Sequence, residues 1–227
     1  IPAGAPFLPT LADALLSGRL VPGFSDSGDP LKLAEATIYV PTRRAARALR
    51  SVFVERMGGA SAILPTIRPL GEFDDDAAIF DGSGLDTLAL SPPIGKLDRI
   101  LLLGPLVQAW KKRLPAHLAA LFGEDVVVPA SLADALWLAR DLAALMDEVE
   151  TGGADWARLA ALVPDDLANW WQVTLEFLEI VTHAWPALLA EAARSNPAAH
   201  RNAGILAEAE RLARNPPSGP VIAAGST

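Results

Sequence analysis

One threonine and three arginines follow a short apolar run in Val40-Pro41-Thr42-Arg43-Arg44-Ala45-Ala46-Arg47-Ala48-Leu49. Thr37-Ile38-Tyr39-Val40 is β-branched and aromatic and is stopped by Pro41, so it reads as a buried strand. A helix is expected from about Thr42 to Met57, closed by Gly58-Gly59. Its apolar face would be Ala45, Leu49, Val52 and Phe53, with Arg43, Arg47 and Arg50 on the opposite face. This places Thr42, Arg43 and Arg44 at a helix N-terminus on the carboxyl end of a strand, with Arg47 one turn on. Ligands of open α/β sheets bind at that edge. Free N–H groups and the positive end of the helix dipole suit a phosphate there, and arginine adds bidentate contacts. A solvated basic face is the commoner role of an arginine-rich helix, and these residues alone favour it.

A second phosphate-binding pattern is present only in outline. A working P-loop is a strand, then GxxxxGK[ST], then a helix. Gly4-Ala5-Pro6-Phe7-Leu8-Pro9-Thr10-Leu11 has that length and the first glycine. Pro9 stands at the second glycine, Thr10 at the lysine and Leu11 at the Ser/Thr. Pro6 and Pro9 also remove two N–H donors that a phosphate would need. An ordinary strand-to-helix loop is the better reading, with Thr10 capping a short helix.

Other candidates are weaker. Asp74, Asp75 and Asp76 could face a metal, but consecutive carboxylates in a glycine-rich loop are usually solvated. His117, His183 and His200 show no ligand spacing. Trp170, Trp171 and Trp185 could stack on bases, yet at helical spacing among Leu and Phe they fit a core better.

The elements that would position these residues fall into blocks. Strand signals cluster at both ends of the 227-residue chain. Ile1 to Pro9 reads as the end of a strand and a loop. Ala62-Ile63-Leu64 begins another strand, broken by Pro65, and Pro220-Val221-Ile222-Ala223-Ala224 reads as a last one. Between them the pattern is helical. One helix carries Leu101, Leu102, Leu106, Val107 and Trp110. Another starts at a capping box, Ser131 with Asp134, and runs through Leu132, Leu136, Ala139, Leu142, Met146 and Val149. A third spans about 165–194 with Leu167, Trp171, Leu175, Leu178 and Val181 facing in, and Pro186 should kink or divide it. Pro197 opens a final helix. We therefore expect an α/β parallel sheet interrupted by a mostly helical insertion: sheet elements in 1–70, an acidic flexible loop in 71–95, the insertion in 96–215 and a return strand in 216–227.

The composition limits function. With 51% hydrophobic residues the chain can bury a core. The net charge of −8 counts against a free-standing, high-affinity DNA binder but allows a local basic track. Having no cysteine, the chain has no disulfide, thiolate metal site or cysteine nucleophile, which fits a reducing cytosol. No spanning helix or signal peptide is evident. A start at Ile1 and an end at Thr227 suggest a fragment.

Thr42, Ala45, Ala46 and Leu49 match motif Ia of superfamily 1 helicases, which contacts single-stranded DNA. Six segments in order resemble the alphaproteobacterial form of the AddB family: 1–8, 41–49, 67–71, 146–151, 171–178 and 221–227. AddB proteins are the B subunits of AddAB helicase–nucleases for double-strand break repair. The resemblance implies a P-loop-NTPase-like domain, with Thr42, Arg43, Arg44 and Arg47 as DNA-contacting residues. Relatives with intact motifs carry Asp-Gly-Phe where this chain has Ala224-Gly225, so Gly4, Pro9, Thr10 and Ala224 would mark a degenerate nucleotide site. The AddA subunit would supply ATP-driven translocation in the cytoplasm. The family's nuclease domain and iron–sulfur cluster need a C-terminal region with four cysteines, and neither is carried over to this fragment. The alternative is a helical protein-interaction module with no direct DNA contact. A small-molecule α/β enzyme ranks last, because no nucleophile, base or metal set stands out.

Overall fold

A computed structural model describes residues 1, 4–25, 29, 31–58, 63–70, 91–113, 131–156, 158 and 168–225. The chain divides into two compact units, Ile1–Ala89 with Gly204–Thr227, and Leu90–Ala203.

The first unit is α/β. It contains α1 (Phe7–Leu16), a 3-10 turn (Lys32–Glu35), β1 (Thr37–Val40), α2 (Arg43–Arg56), β2 (Thr66–Pro69) and β3 (Val221–Ala223). The three strands form a parallel sheet in the order β2-β1-β3. Ile38 pairs with Ile67 on one side and Ile222 on the other. On one face Ile38 and Val40 are fully buried with Leu11 and Leu15 of α1 and Leu49 and Phe53 of α2. Alternation along β1 turns Tyr39 to the other face.

Helix α1 corrects an expectation. The loop expected to Pro9 is helical from Phe7, and Thr10 lies within the helix, not at its cap. Proline is tolerated in a first turn, where its missing N–H would have no partner. The Thr10 amide and hydroxyl both donate back to Pro6 O, at 3.0 and 2.7 Å. Strand β2 also departs from expectation. Ile63 and Leu64 are not in a strand, and the ladder begins beyond Pro65, where Thr66 N–H donates to Ala36 O at 2.9 Å. A proline cannot donate to the ladder.

The turn into β3 crosses the 3-10 segment closely. A methyl placed on Gly219 would lie 2.1 Å from Glu35 O. We expect Gly219→Ala to destabilise the chain by about 1–3 kcal/mol or more, since backbone must move to relieve the overlap. Urea unfolding measures this. An unchanged midpoint would mean that the turn swings away freely.

The second unit is helical: α3 (Lys96–Arg113), α4 (Leu132–Thr151), α5 (Ala168–Glu179), a π-type turn (Ile180–Ala184), α6 (Trp185–Glu191) and the start of α7 (Pro197–Arg214). From Gly204 onward α7 belongs to the α/β unit, so the helical unit stops short of residue 215. On α3 the buried line is Leu103, Val107 and Trp110, while Leu101 and Leu102 are exposed. On α4 it is Ala135, Ala139, Leu142, Ala143 and Met146, with Leu132 exposed. The Ser131–Asp134 capping box is formed. Pro186 divides the long helix: it has no N–H for Thr182 O, and the preceding turn widens to π geometry. Val173–Glu191 is long and apolar enough to be a candidate membrane span, but Ile180, Val181, Trp185 and Leu189 pack into this unit's core.

Candidate nucleic-acid interface

All three strands are parallel, so their carboxyl ends share one sheet edge. The central strand delivers Pro41 and Thr42 to that edge. Thr42 is extended and caps α2, its hydroxyl accepting from Ala45 N–H at 3.1 Å. The hydroxyl proton remains for donation to an acceptor in front of the helix. Ala46, Leu49 and Phe53 bury the opposite side of α2 and set its orientation. Arg43, Arg44 and Arg47 are then exposed at its start. Arg50, expected to share a face with Arg43 and Arg47, does different work: its Nη2 donates to Ile67 O at 2.7 Å, tying α2 to β2.

The neighbouring strand ends complete the edge. Leu70 N–H donates to Val40 O at 2.6 Å and Ala224 N–H to Tyr39 O at 2.8 Å. Gly225 has φ +75, and a methyl there would lie 3.5 Å from the Phe7 ring and 3.6 Å from Pro41. The start of α1, the β1–α2 turn and the end of β3 therefore meet. Of the four positions expected to mark a degenerate nucleotide site, Ala224 is buried at this edge, Pro9 and Thr10 lie inside α1, and Gly4 is exposed, with nothing among the described residues within 4 Å of a methyl placed on it. The Phe7 ring and Pro41 flank the end of β3.

No protein family, curated protein or solved structure matches this chain.

The remaining candidates belong to the helical unit or lie outside the described residues. Asp74, Asp75, Asp76 and His117 lie outside them, as do the side chains of Trp170 and Trp171. His183 Nδ1 is 2.9 Å from Thr182 Oγ1, and His200 Nδ1 is 3.0 Å from Ser91 O. Trp185 is a core residue, 1% exposed, donating to Asn196 Oδ1 at 2.7 Å. Among the described residues no group of His, Asp or Glu could hold a metal.

Two polar clusters have no counterpart in the sequence reading. On the second face of the sheet, Glu208 of α7 accepts from the Tyr39 hydroxyl, from Arg68 Nη1 at 3.4 Å, and from Arg211 Nε and Nη2 at 2.6 and 2.9 Å. In the helical unit, Arg99 pairs with Asp147 at 2.7 Å, and Glu150 accepts from Asn196 Nδ2 at 2.6 Å. The partners are far apart in sequence. Only the polar hydroxyl of Tyr39 within an apolar strand could have pointed to the first cluster.

Proposed function

We propose that the turn from Pro41 to Arg47 is a phosphate-contacting edge for single-stranded DNA, in a non-catalytic, helicase-like region of an AddB-type subunit. One observation carries this reading: the central parallel strand presents a threonine-capped helix start bearing exposed Arg43, Arg44 and Arg47 at the sheet's carboxyl edge. Thr42 would donate its hydroxyl proton to one phosphate oxygen. Arg43 and Arg44 would add charge-assisted contacts, and Arg47 would reach the next phosphate. The P-loop-like fold belongs to the same reading. Its nucleotide site would be inactive, since Pro9, Thr10 and Ala224 stand at the glycine, lysine and acid positions. ATP-driven movement would then come from AddA in the cytoplasm, and the iron–sulfur cluster would belong to a part of the subunit outside this chain.

The test is single-stranded DNA binding by the complex co-expressed with AddA, comparing wild type with Arg43→Ala/Arg44→Ala over a salt series. Each phosphate contact contributes roughly −0.7 to the log–log salt slope on single strands. The double variant should bind more weakly and lose about 1.4 from the slope magnitude. Unchanged affinity and slope in an assembled complex would sink the DNA reading. A helical interaction module would then stand, favoured by exposed Leu97, Leu101 and Trp137, the last stacked under Arg140 at 4.8 Å.

A further inference from the structure

The helical unit contains a polar site that the sheet-edge reading leaves unused. Helix α3 contributes Arg99, only 4% exposed. Helix α4 contributes Asp147 and, one turn on and on the same side, Glu150. Arg99 Nη1 donates to Asp147 Oδ1 at 2.7 Å, which holds the guanidinium from one end. Glu150 is held from behind in the same way. Its Oε1 accepts from Asn196 Nδ2 at 2.6 Å, and Asn196 Oδ1 accepts from Trp185 Nε1 at 2.7 Å. The indole can only donate, so the amide's orientation is fixed and Glu150 Oε1 must be an acceptor.

Three polar atoms remain: Arg99 Nε, Arg99 Nη2 and Glu150 Oε2. All are buried and make no hydrogen bond. Nε and Nη2 form one edge of the guanidinium, two donors side by side. A buried donor or acceptor without a partner costs about 1–3 kcal/mol, and more where charge is involved. We infer that Arg99 and Glu150 bound a binding site for one internal water molecule. The water accepts from Nε and Nη2 and donates one hydrogen to Oε2. Internal waters typically make about three such bonds. The charges on both walls select for a neutral species: the Glu150 and Asp147 carboxylates repel an anion, and the guanidinium repels a cation. With the water in place, α3, α4 and the segment leading into α7 share one hydrogen-bonded network.

The test is a high-resolution crystal structure of the full chain, with water–protein cross-relaxation at Arg99 Hε in solution. The expected result is a density peak at hydrogen-bonding distance, roughly 2.7–3.2 Å, from Arg99 Nε, Arg99 Nη2 and Glu150 Oε2, and a water cross-peak at Hε. Glu150 seated directly on the Arg99 fork with no peak between them would overturn the site. So would a guanidinium edge bonded to a backbone carbonyl.

Discussion

Glu208→Ala is expected to cost about 3 kcal/mol, because it strips one acceptor from three donors at once. Glu208 is 12% exposed by its side chain, and its partners Arg68 and Arg211 are 25% and 26% exposed. Removal leaves two guanidinium groups facing each other on the second face of the sheet, and the Tyr39 hydroxyl without its acceptor. The same cluster predicts a pH dependence at both ends of the scale. Burial raises the Glu208 carboxyl, but the hydrogen bonds from Arg211 and Tyr39 and the two arginine charges outweigh it, so the group titrates below its ordinary value. Its contribution is present above the ordinary carboxylate range and is lost as pH falls through the depressed value. Tyr39 moves the other way: burial, and then the bond and charge of Glu208, push it up to about 12. That contribution is intact below pH 10 and is lost as pH rises from 10 to about 12. Tyr39 is the chain's single tyrosine, so absorbance of the phenolate reports on it alone. The wild-type midpoint should lie near 12, and Glu208→Gln should bring it down toward 10. A midpoint near 10 in both proteins would mean that the hydroxyl faces solvent.

Trp185→Ala should be more damaging still, at about 3–5 kcal/mol. The indole is 1% exposed, directly after the π-type turn, in a core it shares with Met146, Ile180 and Leu189. Truncation opens a cavity and leaves Asn196 Oδ1 without a donor. Trp185→Phe separates the two effects. It keeps most of the ring volume and removes only the N–H, so its cost should be about 1–3 kcal/mol, the penalty of an unsatisfied buried acceptor. Urea denaturation of the three proteins measures both. Equal stability for Trp185→Phe and wild type would show that the Trp185–Asn196–Glu150 chain carries no net energy.

Local signals were legible in the sequence. The β-branched run Thr37–Val40 before Pro41, the Ser131–Asp134 box and the break at Pro186 each act through a few adjacent residues, and each is found where the pattern places it. Thr42 as the start of α2 is of the same kind. Failures came where neighbours in space decide. The register of α3 could not be read, because nearly every position from Ile100 to Val107 is apolar or small, and packing of Gly104 against Leu136 picks the buried side. The helix at Phe7 was hidden by two prolines that a first turn accepts. At the candidate edge, the positions of Arg43, Arg44 and Arg47 were legible from helical periodicity. The commitment of Arg50 to Ile67 O was not, since it depends on where β2 lies.

The pairing of β3 with β1 also bears on how the chain forms. Thr37 lies beside Val221, so the central strand waits about 180 residues for one of its two neighbours, a long-range closure of the kind that slows folding. On a ribosome adding about 5–20 residues per second, that interval is roughly 10–40 s. The helical unit is complete before it ends. Until β3 is made, β1 lacks the strand that covers this edge in the finished fold, and an uncovered strand edge is a template for pairing with other extended segments.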